Sequence, residues 1–265
     1  MVNIEKEKCI GCGMCVKDCF PDNIFLNNGK AEIKGRCMQC GHCIAVCPVN
    51  AVSIDDYPMD EVKEYSKEEF TLSSENFLNF IKFRRSIRQY KEKPVEKEKL
   101  ARVLEAGRYT ATGSNMQDVS YIVVQDTLEE LKPLMWESLY EFALANLEEK
   151  GIIGAYAPRW IKMYEDYKRQ GIDTLFFKAP ALVVVTALSP LNGGLASSSI
   201  ELMANAEGLG ILFSGFIERS IKNSDKVKKF LGISKKEVIS CMLMGYPDVT
   251  FKRTVPRKKT AISWK

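Results

Sequence analysis

The chain has 265 residues, 46% of them hydrophobic and 27% charged, with a formal net charge of +4. That length accommodates two domains with separate cores. The longest apolar run, ALVVVTAL at 181–188, is broken by Thr186 and falls far short of the roughly 20 residues a membrane-spanning helix needs, so the chain is expected to be soluble and cytoplasmic, with no membrane partner.

Eight of the nine cysteines lie within the first 47 residues, in CIGCGMCVKDC (Cys9–Cys19) and CMQCGHCIAVCP (Cys37–Pro48). Cys9, Cys12, Cys15 and Cys19 map onto Cys37, Cys40, Cys43 and Cys47 with one constant offset of 28 residues, which makes the two runs an internal repeat. Three cysteines two residues apart supply three corners of an iron-sulfide cube, and a distant cysteine supplies the fourth. Two other uses of cysteine compete. A zinc ribbon built from paired C-x-x-C units leaves half of each run without a task. A disulfide framework suits a small secreted chain, and MVNIEKEKCIGC carries no apolar stretch of the secretory kind. Residues 1–54 closely resemble the bacterial two-cluster ferredoxins, with Pro48 in its expected place and Phe20 inserted before Pro21. The resemblance implies two [4Fe-4S] clusters: Cys9, Cys12, Cys15 and Cys47 holding one, and Cys37, Cys40, Cys43 and Cys19 the other. His42, the one histidine, is expected to shield a cluster and to take no part in catalysis.

Charge marks the next boundary. Residues 1–54 carry a net +1, residues 55–69 (DDYPMDEVKEYSKEE) carry −5, and the remainder carries +8. The acidic stretch reads as a solvated linker over 55–75, leaving 76–265 as a second, basic domain suited to a phosphate-bearing cofactor or an acidic electron-transfer partner.

From Ser73, a serine cap and the spacing of Phe77, Phe80, Ile81 and Arg84 predict an amphipathic helix ending in a basic cluster. A second helix follows Pro94, with Leu100, Val103, Leu104 and Gly107 on one face, and leads into the small-residue loop ATGSNMQD at 111–118. VSYIVVQ (119–125) predicts a strand, and 127–178 predicts helices rich in aromatics, with Trp160, Tyr164 and Tyr167 on one face and Trp136 and Tyr140 on another. One ring among these, or Tyr156, is expected to line an acceptor pocket, against the commoner use of such rings as core or dimer interface. PALVVVTAL predicts a buried strand and ASSSIELMANAEGLG a helix closed by Gly208 and Gly210. ILFSGFI (211–217) predicts a strand, SDKVKKFLG a short capped helix, and EVISCMLMGYP a last strand with Cys241 as a buried thiol. Alternating helices and strands give an α+β or α/β layered domain.

Three constellations carry chemistry in that domain: RRSIR at 84–88, GSNMQ at 113–117 and the acid-free basic segment FKRTVPRKKTAISWK at the C-terminus. In this order they resemble the nitroreductase family of flavin mononucleotide enzymes, over residues 76–265. The resemblance implies an α+β fold with a central, mainly antiparallel sheet flanked by helices, one FMN per site, and a homodimer with flavins at the subunit interface. It places Arg84, Ser86 and Arg257 or Lys258 around the phosphate, where guanidinium groups bind a dianion bidentately, with Arg85 beside them among the cofactor-binding residues. Asn115 and Gln117, in the loop with Thr112, Gly113 and Ser114, would read the pyrimidine edge, and Arg88 would offset charge near N1 and O2. The backbone at Ser214 and Gly215 would pack near the ring.

The activity implied is an iron-sulfur flavoprotein oxidoreductase passing electrons from the clusters to FMN and on to a small organic acceptor: a nitroaromatic, a quinone or another unsaturated compound. Neither a dinucleotide-binding nor a P-loop fingerprint occurs, so electrons are expected from NAD(P)H bound over the flavin or from an external ferredoxin. Two other classes compete: a redox sensor or electron carrier whose second domain docks a protein, and a nucleic-acid binder. A charge of +8 over the remaining residues is modest and recognition motifs for nucleic acid are lacking, so none is expected as a partner.

Overall fold

In the computed structural model, which describes residues 1–265, the chain divides into two units: Met1–Leu72 with Thr112–Met116, and Ser73–Ala111 with Gln117–Lys265. In the first, short alternating strands close two antiparallel pairs. β1 (Val2–Ile4) pairs with β4 (Val52–Ile54), bringing the start of the unit against the end of the second cysteine run. β2 (Ile24–Asn27) and β3 (Lys30–Ile33) form a hairpin through the two-residue turn Asn28-Gly29, where both residues have positive φ, the pairing a tight hairpin favours. Two one-turn helices, α1 (Met14–Asp18) and α2 (His42–Ala45), carry the third cysteine of each run. Each is preceded by a left-handed glycine, Gly13 (φ 72°) and Gly41 (φ 77°), so the repeat seen in the cysteines extends to the backbone. The small core of Val2, Ile24, Ala31, Ala51, Val52 and Ile54 lies among the cysteines.

The acidic stretch is mostly exposed and contains two short helical turns. Met59–Glu61 forms a 3-10 turn, and Ser66 caps α3 (Lys67–Phe70) by accepting from Glu69 N. All of it through Leu72 clusters with the first unit.

The second unit is a three-layer structure around one sheet. α4 (Ser74–Phe83) and α5 (Lys97–Arg108) precede β5 (Ser120–Val124); α6 (Leu128–Ala145) and α7 (Ile152–Gln170) form a helical hairpin before β6 (Ala181–Ala187). Then come α8 (Pro190–Ala206), β7 (Gly210–Phe213), α9 (Gly215–Lys222), α10 (Asp225–Phe230) and β8 (Glu237–Gly245). The strand order is β5-β6-β8-β7, antiparallel throughout, with Val123 opposite Val183, Val183 opposite Met242 and Leu212 opposite Leu243. This is the α+β architecture with an antiparallel sheet that the family resemblance implies.

β6 explains why its run is apolar at nearly every position. Val183 and Val185 pack with Val103, Ile200 and Ala204 of α5 and α8, while Leu182 and Val184 face Trp136, Leu139 and Ile217 of α6 and α9. A strand covered on both faces loses the apolar-polar alternation. Asp118 ties the entry of α8 to the sheet: it accepts from Leu188 N (2.8 Å), Ser189 N (2.9 Å) and Asn192 Nδ2 (2.6 Å). Burial works against its charge, and those donors overcome burial to hold the carboxyl below its ordinary range.

One predicted element ends early. The strand expected over 211–217 stops at Phe213, because the Ser214 hydroxyl accepts from Ile217 N and starts α9. A serine N-cap satisfies a helix donor that a continuing strand would leave to another partner. Trp136 and Trp160 are core residues, 0% and 2% exposed, and Trp136 stacks on Tyr167 with ring centroids 4.9 Å apart. Tyr140 stacks likewise on Tyr164 at 4.4 Å. The core use of these rings thus prevails over the pocket use for Trp136 and Trp160, while Tyr156 is 39% exposed and stacks on Trp160. Trp136→Ala removes a fully buried ring between α6 and α7 and should destabilise the second unit by roughly 3–5 kcal/mol, read as a lower urea midpoint; a midpoint unchanged from wild type would show that this helical hairpin contributes little to the core.

Candidate functional site

One of the two expected cysteine sets lines a common pocket. Cys9, Cys12, Cys15 and Cys47 line one pocket with Gly11, Gly13, Ala31 and Ala51. The loop fits tightly there: a Cβ added at Gly11 (φ 68°) would stand 2.1 Å from Gly29 O, so no other residue is accommodated. Cys43 is buried, with Cys37 and Cys40 near enough that burial first, and then their charges, push its thiol up to about 11. Burial and the neighbouring Cys12 and Cys9 raise Cys15 in the same sense. All nine cysteines are free thiols, so no disulfide framework exists.

Backbone amides point at the sulfurs in a repeated pattern. Asn23 N donates to Cys19 Sγ (3.3 Å) and, 28 residues on, Ala51 N donates to Cys47 Sγ (3.3 Å). Gln39 N donates to Cys37 Sγ (3.3 Å). Its counterpart Gly11 donates to Cys9, which also receives Ala31 N (3.4 Å); these two amides hold the Cys9 thiol below its ordinary value. Amide-to-sulfur hydrogen bonds stabilise the thiolate form that a metal requires and tune cluster potentials. His42 lies against Asp18, Nδ1 to Oδ2 at 3.0 Å, on the exposed side.

In the second unit, RRSIR leaves α4 as extended chain, and Ile87 N donates to Ile211 O (3.0 Å), fixing the segment to β7. Arg84 Nη1 pairs with Glu201 Oε1 at 2.8 Å, both partly buried. Burial raises the Glu201 carboxyl above its ordinary range, with Arg84 opposing. Arg85 is different. It donates to Lys82 O, but its Nε is buried with no hydrogen-bond partner, and burial, Arg257 and Arg84 together disfavour its charge. Arg84, Arg85, Glu201, Asn205, Thr250 and Phe251 line one cavity.

The other predicted site residues are spread more widely. Ser86 is half-buried and Arg88 exposed, and Arg257 and Lys258 are exposed in extended chain. Ser214 caps α9, which begins at Gly215. Thr112, Gly113, Ser114 and Asn115 group with the first unit, and Gln117 falls in the second. Ser114, Asn115 and Gln117 all have positive φ (51°, 53° and 45°). Sequence reasoning missed Glu201, whose partner lies 117 residues away, and Tyr57, which accepts from Asn115.

Residues 81–246 match the model of the nitroreductase family, and residues 1–48 match that of a 4Fe-4S dicluster domain. The chain belongs to the nitroreductase family. Among curated proteins it is similar to an NADPH-dependent oxidoreductase of Staphylococcus saprophyticus, 23% identical over 66% of this chain and 66% of that protein. The chain spans about two thirds or less of the curated relatives of that kind. Two crystal structures of nitroreductases with bound FMN share the fold. The one from Bacteroides fragilis has TM-score 0.56 and 19% identity, covering 71% of this chain and 98% of that one. The one from Desulfitobacterium hafniense has TM-score 0.52 and 24% identity, covering 70% and 97%. The dicluster match settles the use of the cysteines in favour of iron-sulfur clusters over zinc.

Proposed function

We propose that the protein is an FMN-dependent iron-sulfur oxidoreductase that moves electrons from two [4Fe-4S] clusters to FMN and on to a small organic acceptor such as a nitroaromatic, a quinone or another unsaturated compound. The observation that carries the flavin half is Arg85: a guanidinium with a buried, partnerless Nε standing beside Arg257. Like charges that disfavour one another favour a bound dianion, and guanidinium groups are the donors that grip phosphate. Arg84 is partly committed to Glu201, which leaves Arg85 and Arg257, with Ser86 and Lys258 close in sequence, as the phosphate donors.

FMN exchanges one or two electrons and each cluster one, which is why two clusters and one flavin match in capacity. Arg88 supplies a cation for the charge a reduced isoalloxazine carries, Gln117 offers an amide to the pyrimidine edge, and the Ser214-Gly215 backbone supports the ring. The second unit contains no histidine, so protons come from water or from Tyr, Lys or Arg side chains. The name of the staphylococcal relative supports NADPH as one source of electrons, with an external ferredoxin as the other.

A second copy of the chain completes the site. α4 buries none of its residues and exposes Phe77, Leu78, Ile81 and Phe83, and α8 exposes Leu191 and Leu195. Apolar faces of that kind are the raw material of a homodimer interface. No helix is long and apolar enough to cross a membrane. We place the protein in the cytoplasm, where thiols remain reduced.

Two experiments test this reading. Arg85→Ala should raise the FMN dissociation constant at least about tenfold, a loss of about 1.4 kcal/mol measured by fluorescence quenching, and an unchanged constant would remove Arg85 from the phosphate site. In anaerobic stopped-flow mixing with dithionite, bleaching of the cluster absorbance should be followed by flavin reduction within one turnover; clusters and flavin that titrate without exchanging electrons would refute the relay.

A further inference from the structure

From these contacts we infer that Asn115 is a positioning residue of the second cysteine run, acting on Cys37 through a single peptide group, in place of the flavin contact its motif suggests. Its side-chain amide lies 2.9 Å from Gln39 O, 3.1 Å from Met38 O and 3.3 Å from the Tyr57 hydroxyl, and the loop that carries it, Thr112–Met116, groups with the first unit. Met38 C=O and Gln39 N–H are the two ends of one peptide bond, and that N–H donates to Cys37 Sγ at 3.3 Å. The contacts form one continuous chain: Asn115 N–H to Met38 C=O, then across the peptide to Gln39 N–H and the cysteine sulfur. A donor at the carbonyl end polarises the peptide and strengthens what its N–H gives at the other end.

The repeat shows why the second run needs this help. Gln39 corresponds to Gly11, 28 residues earlier, and both sit in the left-handed region, at φ 52° and φ 68°. Glycine takes that conformation at no steric cost, whereas glutamine is strained there and persists only where surroundings over-determine it. Asn115 binds the carbonyls on both sides of Gln39, so the clamp falls on the one residue of the turn that departs from its glycine counterpart. Asn115 itself, with φ 53°, and Ser114, with φ 51°, are held in the same unfavourable region, and asparagine is the side chain that best tolerates it.

A hydrogen bond to a cluster sulfur favours the reduced, more negative cluster, and its weakening lowers the reduction potential. The inference rests on the clusters and not on the electron route from them to the flavin. Its test is a redox titration followed by EPR on anaerobically prepared full-length protein, with iron and FMN counted in each sample. Asn115→Leu should lower the potential of one cluster by the equivalent of about threefold to tenfold in its oxidised-to-reduced ratio and leave the other unchanged. Tyr57→Phe, which keeps both carbonyl contacts, should shift the same cluster less. Adding Gln39→Gly to Asn115→Leu should recover part of the loss by removing the strain at that turn. A variant that loads only the first cluster, with half the wild-type iron, also supports the assignment. Wild-type potentials for both clusters in a fully loaded Asn115→Leu protein overturn it, whether or not FMN binding weakens. Wild-type chain without iron would instead refute the reading of the first unit, leaving the two failures distinct.

Discussion

Uncompensated charge is the constraint on which the rest depends. Each unit gathers groups of one sign with little protein counter-charge beyond Lys6 and Lys30 acting on Cys9 in the first and Glu201 on Arg84 in the second. In the first, burial and then the charges of Cys37 and Cys40 push the Cys43 thiol up to about 11. In the second, Arg85 stands beside Arg257 and Arg84 with a donor left buried and unused. Isolated charge of either kind is expensive to bury. The two problems have opposite solutions: an iron-sulfide core supplies positive charge to thiolates, and a phosphate supplies negative charge to guanidinium groups. One chain therefore asks for two cofactors of opposite character, which supports an assignment as an electron-transfer flavoenzyme.

The scaffolds that hold these charges differ in kind. The first unit has a core of small and branched residues, too modest to hold eight cysteines by packing alone, so its geometry is written in glycines with positive φ and in amides aimed at sulfur. The second is organised by β6, a strand enclosed on both faces, with the RRSIR segment pinned to β7 through Ile87. Arg85, two residues before that anchor, keeps its Nε without a partner while its guanidinium donates to Lys82 O.

Much of this was legible in the sequence because chemistry dictates spacing. A cluster needs cysteines two apart, and a strand buried on both faces needs an unbroken apolar run, so Cys9–Cys47 and 181–188 could be read directly. What could not be read depends on partners distant along the chain. Glu201 meets Arg84 across 117 residues, and Asn115 meets Met38 across 77. The Asn115 motif was ambiguous by its chemistry: an amide that can read a flavin edge can equally clamp two carbonyls. The strand expected through Ile217 failed for a local reason, a serine whose capping bond outweighed the apolar pattern around it.

The account is tested most directly by counting cofactors in protein purified without oxygen. It predicts about eight irons, about eight acid-labile sulfides and one FMN per chain. Zinc in place of iron, or a flavin-free chain that takes up no FMN on reconstitution, would contradict it.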